Sequence, residues 1–496
     1  MAARASRRPQ TPVRIVGHER NLQMTTLPPV SMPAGRRQAV GVPRLARARA
    51  SEDSSQNAAF YCGLAMVFLR FSDLHNSITV FLHVNTYLLY IVGIPAVLGV
   101  LAAGGLQRTL RFRPGRFWLL FGLWLLAAAP FSSWPGDSVR VVLTYWRTNL
   151  LLLFVLGGLA ISWRRCRLVM YAVAAAAVVM LVSSRLFGQV DVNDRVSLDF
   201  GIVSNSNDYA AHLILVLPFV LWVGMTRKTP LSRALCGIIC ACGLYVVLAT
   251  GSRGAMIAIV VQLATFVMLL KKPGHRAAAL IAAPALFAVA LVLLPDRTVQ
   301  RIWSFSKDEN SSAEAMMSSD SREYVLRKSI EYTVTHPIFG VGANQFGTVE
   351  GRESRSRGDH GAWLGTHNSF TQISSENGIL ALAFYLAGIV STFLILRRAK
   401  QICQGRPQCR DVETTIFCVR LGMIGYLAAS TFVNFGYMFY LPALAGLAIS
   451  IYLSACELAG ARPTFATAFP MRGRGQPARV VAGRGRFNPP RAVRRG

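Results

Sequence analysis

Residues 371–400 read TQISSENGILALAFYLAGIVSTFLILRRAK. From 371 to 396 the stretch holds one acidic residue, Glu376, and no Lys or Arg. As a helix it would run about 39 Å at 1.5 Å per residue, longer than the roughly 30 Å hydrocarbon core of a bilayer. Arg397, Arg398 and Lys400 then close it with positive charge. An apolar run of this length ended by a basic cluster is a membrane span anchored on its cytoplasmic side.

Similar runs recur along the chain, near 58–70, 83–104, 117–133, 148–162, 168–187, 208–225, 234–250, 254–270, 277–294, 371–396, 414–432 and 438–456. That makes twelve spans, the first short and interrupted by Arg70 and Asp73. Composition agrees: 53% of residues are apolar, 15% are charged, and the mean hydropathy is +0.39. Globular domains usually carry about a quarter charged residues. The expected fold is all-α, a polytopic transmembrane helix bundle of about 12 spans.

Orientation follows from Lys and Arg in alternate short loops. One set carries Arg108, Arg111, Arg113 and Arg116; Arg164, Arg165 and Arg167; Arg227, Lys228 and Arg233; Lys271, Lys272 and Arg276; then Arg397, Arg398, Lys400, Arg406 and Arg410. The alternate set carries only Arg140, then Arg185 and Arg195, then Arg253. The first set is therefore assigned to the cytoplasm, together with both termini.

The formal charge of +30 is concentrated at the ends. Residues 1–56 hold ten Arg and three acids, and residues 461–496 hold nine Arg and no acid. Both read as disordered basic cytoplasmic tails lying on anionic lipid, with the transmembrane domain at 57–460. The Gly-Arg-Gly triplets at 473–475 and 483–485 are part of such a tail, and no nucleic-acid partner is expected. A long Arg/Pro-rich stretch before the first apolar run argues against a signal peptide. The nine cysteines are scattered, mostly in apolar stretches, without zinc spacing or a disulfide framework.

The loop 295–370, between spans nine and ten, differs in kind. It holds ten acids and nine Lys/Arg, a nearly neutral, soluble-looking composition on the outer side. Its middle, Ser319 to His336, reads as an amphipathic helix capped near Ser319, Asp320 or Ser321, with Val325, Leu326, Ile330 and Val334 at helical spacing. Pro337-Ile338-Phe339-Gly340-Val341-Gly342 then reads as a turn.

Three outward-facing features could carry chemistry. Arg253, in Thr250-Gly251-Ser252-Arg253-Gly254-Ala255, is a permanently charged fork amid unobstructed backbone. It suits an anionic headgroup or diphosphate, or it is an Arg snorkelling at a helix end. Arg322, at the expected start of the loop helix, would add to the positive helix dipole, or it is a solvated charge. His367, in Gly365-Thr366-His367-Asn368-Ser369-Phe370, sits at the mouth of a helix, where an imidazole could act as a general base or as a hydrogen-bonded structural residue. His360 and His336 compete for the role. Glu376, nine residues on and half-way round a regular helix, is a poor direct partner for His367.

From His367 the sequence resembles the signature of the O-antigen ligase and polymerase superfamily. His367-Asn368 is followed by nine residues and then Gly378, with Ala381 where that family has Gly, Thr or Tyr. Ser252-Arg253-Gly254 is similar to the family's outer-face Arg motif, and Arg322 followed by a helix and Pro337–Gly342 is similar to its second Arg. Ser204-Asn205-Ser206-Asn207-Asp208-Tyr209-Ala210 resembles its Asn-rich start of helix six. The likeness runs from about 200 to 395. It implies a bacterial inner-membrane enzyme of surface polysaccharide biosynthesis: an inverting, metal-independent glycosyltransferase without cofactor. The implied donor is a polyprenyl-diphosphate-linked glycan and the acceptor a saccharide, lipid A core or protein. Arg253 and Arg322 would bind the donor diphosphate and His367 would be catalytic, supported by Asn368, Gly378 and Asn207. The alternative is a lipid-linked sugar transporter or flippase, which should place ionisable residues in mid-membrane.

Overall fold

The computed structural model describes residues 42–190, 195–198, 201–270, 272–303, 313–358 and 363–465. The tail residues 1–41 and 466–496, and His360, lie outside the described residues. The chain divides into Met1–Ser51 and Glu52–Gly496, and the second unit holds the membrane bundle.

The helices in chain order are α1 (Val42–Ser72), α2 (Leu74–Leu82), α3 (Leu88–Ala102), α4 (Gly105–Leu110), α5 (Arg113–Ala128), α6 (Pro135–Thr144), α7 (Leu151–Leu159), α8 (Trp163–Leu186) and α9 (Ser206–Thr226). They continue with α10 (Pro230–Ala249), α11 (Arg253–Leu269), α12 (Pro273–Val292), α13 (Asp296–Trp303), α14 (Ala313–Thr335), α15 (Phe346–Ser356), α16 (Ser369–Cys403), α17 (Arg410–Ala429) and α18 (Tyr440–Ala459). A π-helical stretch, Tyr145–Leu150, joins α6 to α7. Strand pairing among the described residues is confined to Gln189–Val190 against Val196–Ser197. The protein is an all-α, multi-pass membrane bundle.

Each of the twelve apolar runs falls on a helix. Among the described residues nine helical segments are long and apolar enough to cross a bilayer, and α3 and α11 are shorter apolar helices. The run at 58–70 is the apolar half of α1, which starts at Val42, inside the segment expected to be a disordered tail.

Burial separates centre from periphery. In α18, 83% of the apolar window is buried, against 6% in α12, so α18 is a central helix and α12 faces outward. Around α18 pack α16, α7 and α8, while α9 packs on α17, α10 and α8. Small residues allow the close approaches: a Cβ on Gly446 would stand 2.6 Å from the Leu153 carbonyl oxygen, and one on Gly422 2.7 Å from that of Leu215. Membrane helices gain attraction from such backbone proximity because lipid supplies no hydrophobic drive between them.

The outer loop differs from its sequence reading in two ways. Its helix α14 begins at Ala313, so Ser319, Asp320 and Ser321 lie inside the helix and are not its cap. Its apolar positions also split between two faces. Val325 is buried with Tyr332, Val341 and Phe346, whereas Leu326, Ile330 and Val334 are exposed. Spacing alone did not show that α15, packing on one side of α14, covers Val325 and Tyr332.

Candidate functional site

Helix α16 is two helices broken at Gly378, whose backbone lies at φ 84°, ψ 173°. Only glycine occupies that region readily. The break frees backbone groups, and the Pro337–Gly342 turn takes them up. Ile379 N–H donates to the Pro337 carbonyl at 2.8 Å, Val341 N–H to Ser375 at 2.9 Å, and Gly342 N–H to Glu376 at 2.9 Å. The Asn377 carbonyl accepts from Trp124 Nε1 at 2.9 Å. Buried polar backbone must be paired, so kink and turn specify one another. A Cβ on Gly378 would stand 1.9 Å from the Ile338 carbonyl oxygen, and one on Gly340 2.2 Å from the Glu376 carbonyl carbon. Phe339 completes the seam by stacking on Phe131, ring centroids 4.1 Å apart.

The start of α16 is fastened to the segment between α17 and α18. Asn368 caps the helix, its side chain accepting from Phe370 N–H at 2.9 Å and Thr371 N–H at 3.2 Å. Ser369 N–H donates to the Ser430 carbonyl at 2.9 Å, and its hydroxyl donates to that of Val433 at 2.8 Å. Gly436 N–H donates to Gln372 Oε1 at 3.1 Å, and the Thr366 hydroxyl lies 3.0 Å from Asn434 Oδ1. His367, between these anchors, has φ 49°, a left-handed conformation uncommon for a non-glycine residue. Such strain persists only where the surroundings over-determine it.

Burial, reinforced by the Arg322 cation, pushes the His367 imidazole down from 6.5 to about 4. The ring is therefore neutral at neutral pH, free to accept a proton but a weaker base than an exposed imidazole. The same effect puts Arg322 within electrostatic range of His367 across 44 intervening residues. Arg322 lies nine residues inside α14, however, not at its start. The helix-terminus contribution expected for it is absent, since that effect fades within the first turn.

Arg253 opens α11, where the Ser252 hydroxyl caps the helix by accepting from Ala255 N–H at 3.3 Å. Gly254 abuts Phe432, 2.5 Å from where a Cβ would be, so the Arg253 turn packs against the same 430–436 segment that holds His367. Asn207 is linked to this turn through Arg195, which donates to Asn207 Oδ1 at 3.2 Å and to the Thr250 carbonyl at 2.9 Å. The Asn that caps α9 is Asn205, accepting from Asn207 N–H at 2.8 Å. Arg195 entered the sequence reading only as one charge in an outer loop, and its bridging position depends on tertiary packing.

Beside these residues lies a cavity of about 680 Å³, open on one side and lined by Arg70, Arg140, Asn149, Glu376, Asn434 and Tyr437 among others. Glu376 accepts from the Tyr437 hydroxyl at 2.5 Å and from Asn344 N–H at 2.8 Å. Asn377 Nδ2 donates to the same hydroxyl at 2.5 Å. Sequence reading singled out neither Tyr437 nor Asn344 and set Glu376 aside. The one available signal was Arg70, interrupting an apolar run. Among the described residues no group of three or more His, Cys, Asp or Glu could hold a metal ion.

The model of the O-antigen ligase family matches residues 238–386, which include Arg253, Arg322, His367, Asn368 and Gly378. Residues 238–386 thus form a domain similar to the O-antigen ligase family. This domain covers under a third of the sequence, and Asn207 precedes it. The chain is also similar to the teichuronic acid biosynthesis protein TuaE of Bacillus subtilis (strain 168), 23% identical over 186 residues. That similarity covers 37% of this chain and 38% of TuaE, so the chain matches well under half of this relative's length.

Proposed function

We propose that the protein transfers a polyprenyl-diphosphate-linked glycan to an acceptor hydroxyl at the outer face of the bacterial inner membrane, in surface polysaccharide biosynthesis. What supports this reading is convergence: the Arg253 turn, through Gly254 on Phe432, and the residues flanking His367, through Thr366 and Ser369, pack on the same 430–436 segment, and the Arg322 cation is felt at His367 from α14. Support for a lipid donor comes from an apolar groove of about 900 Å³ between α8, α10 and α12, lined by Leu181, Val246, Ala249, Leu286, Val289 and Leu293. It reaches Ala249, four residues before Arg253, and Val196, next to Arg195. A prenyl chain in the groove would bring its diphosphate to the arginines.

In this reaction the acceptor oxygen attacks the anomeric carbon as the bond to the diphosphate oxygen breaks, and the lipid diphosphate leaves with the electron pair. A single displacement inverts the anomeric centre. Charge grows on the leaving diphosphate, so fixed guanidinium groups aimed there lower the barrier. The diphosphate is a stable anion and needs no strong acid. The acceptor proton passes to the neutral imidazole of His367, which burial keeps unprotonated at neutral pH. Asn368 and Gly378 position the histidine by capping α16 and fixing its kink.

The test is reconstitution of the purified protein in vesicles holding a lipid-diphosphate-linked glycan and an acceptor glycolipid. Transfer should occur, and in His367→Ala it should fall by about 10²–10⁴-fold with the protein normally inserted. Full activity in that variant would remove the histidine from the mechanism. Movement of the intact lipid-linked sugar across the membrane without glycan transfer would overturn the enzyme reading in favour of a flippase.

A further inference from the structure

Donor recognition as proposed uses none of the residues around Arg70. Arg70 is 7% exposed at the end of the apolar half of α1. Its Nη2 donates to Asn149 Oδ1 at 2.8 Å, and its Cζ stands 4.5 Å from the centre of the Phe439 ring. Its Nε is buried without a hydrogen-bond partner. Asp73 lies within electrostatic reach and offsets part of the charge.

Arg70 and Thr148 line two cavities at once. One is the 680 Å³ chamber, where Asn149, Asn344, Gln372, Asn434, Tyr437 and Trp363 offer the amide, hydroxyl and indole surfaces that suit sugar hydroxyls and sugar faces. The other is a cleft of about 260 Å³ whose walls are mainly apolar, among them Met66, Leu89, Ile94, Val97, Leu98 and Leu151. Ile94 and Leu98 are 58% and 61% exposed, so this cleft opens on the outer surface of a bundle whose surroundings are lipid. A second cation, Arg147, lines the cleft with its Cζ 5.6 Å from the centre of the Tyr90 ring. Thr148 and Asn149 come from the π-helical stretch, an irregularity that recurs at functional sites. The order in space is an apolar cleft, then guanidinium groups, then a polar chamber. An anionic glycolipid has the same order of parts.

We infer that the two cavities form one site for the acceptor, a membrane-anchored saccharide with a phosphate at its head. The chain lies in the cleft between α1 and α3, the phosphate at Arg70 and Arg147, and the saccharide in the chamber that ends at Glu376 and Tyr437. This rests on the transfer reaction proposed above and narrows its acceptor: a protein or a free sugar would leave the apolar cleft unused.

The test uses the full-length protein in phosphatidylcholine nanodiscs and a prenyl-phospho-hexose with a photoreactive group on the prenyl chain. Peptide mapping should find the label on α1 and α3. Labelling there should fall by about ten- to a hundredfold in Arg70→Gln, the loss expected for a hydrogen bond to a charged group. Val97→Trp, which fills the cleft and leaves both arginines in place, should reduce it comparably. A prenyl hexoside lacking the phosphate should label weakly, and hexose 1-phosphate lacking the chain should compete poorly. Label confined to α8, α10 and α12, or equal labelling in the wild type and both variants, would overturn the inference. If label appears on α1 and α3 but no glycan is ever transferred, the acceptor site stands and the proposed reaction falls. If transfer proceeds to a soluble acceptor while α1 and α3 stay unlabelled, the reaction stands and this site falls.

Discussion

Replacing Gly378 by alanine tests whether the kink in α16 and the Pro337–Gly342 turn are one device. At φ 84°, ψ 173° a non-glycine residue costs about 1–3 kcal/mol in backbone strain. The new methyl also meets the Ile338 carbonyl oxygen at 1.9 Å, a contact that backbone on both sides must open to relieve. Opening it sacrifices at least the Ile379–Pro337 and Gly342–Glu376 hydrogen bonds, each worth roughly 0.5–1.5 kcal/mol net. Together these give a destabilisation of about 2–6 kcal/mol. Gly340→Ala opens the same seam from the other side, because its Cβ meets Glu376 at 2.2 Å. The two substitutions should therefore be strongly non-additive, the double variant costing little more than the worse single one. The assay is thermal unfolding of the detergent-solubilised protein beside transfer activity in vesicles. Each single variant should lose several degrees in melting temperature and most of its activity, although Arg253, Arg322 and His367 are untouched. Wild-type melting in Gly378→Ala, or fully additive losses in the double variant, would refute the coupling.

Arg253→Lys should lose most transfer activity while inserting normally, because lysine cannot reproduce a bidentate fork on phosphate; near-normal product from that variant would end the diphosphate role. With its imidazole held near 4, His367 stays neutral as pH falls through 6.5, so activity should persist there and fade only as pH drops through about 4. Arg322→Gln removes the smaller of the two causes and should move this acid limb part of the way up towards 6.5; an unmoved limb would show that the arginine and histidine are not coupled. For topology, a phosphatase reporter inserted at Ser311 should be active and one fused after Gly460 silent, and the reverse pattern would invert the orientation and the mechanism with it.

The sequence by itself determined that this is a membrane helix bundle, set the expectation for which way its loops alternate, and pointed to the residues to look for. Those properties follow from local rules: a span needs a fixed length of apolar chain, and Lys and Arg resist translocation wherever they stand in a short loop. His367, Asn368 and Gly378 were singled out through their resemblance to a family signature, whereas the cap that Asn368 makes and the break at Gly378 came to light only in the structure. What the sequence could not convey was partnership across the chain. That Gly378 fits against Ile338, that Gly254 meets Phe432, and that Tyr437 bonds Glu376 are facts about surfaces 40 to 180 residues apart. The position of Arg322 inside α14 escaped as well, because the helix extends several residues beyond its best local capping signal. Arg70 shows the limit most plainly. In the sequence it is one charge spoiling an apolar run; in the bundle its burial between a polar chamber and an apolar cleft is settled by α3, the π-helical stretch and Phe439, just ahead of α18, together. The burial of a charge depends on every element packed around it, and no local pattern encodes that.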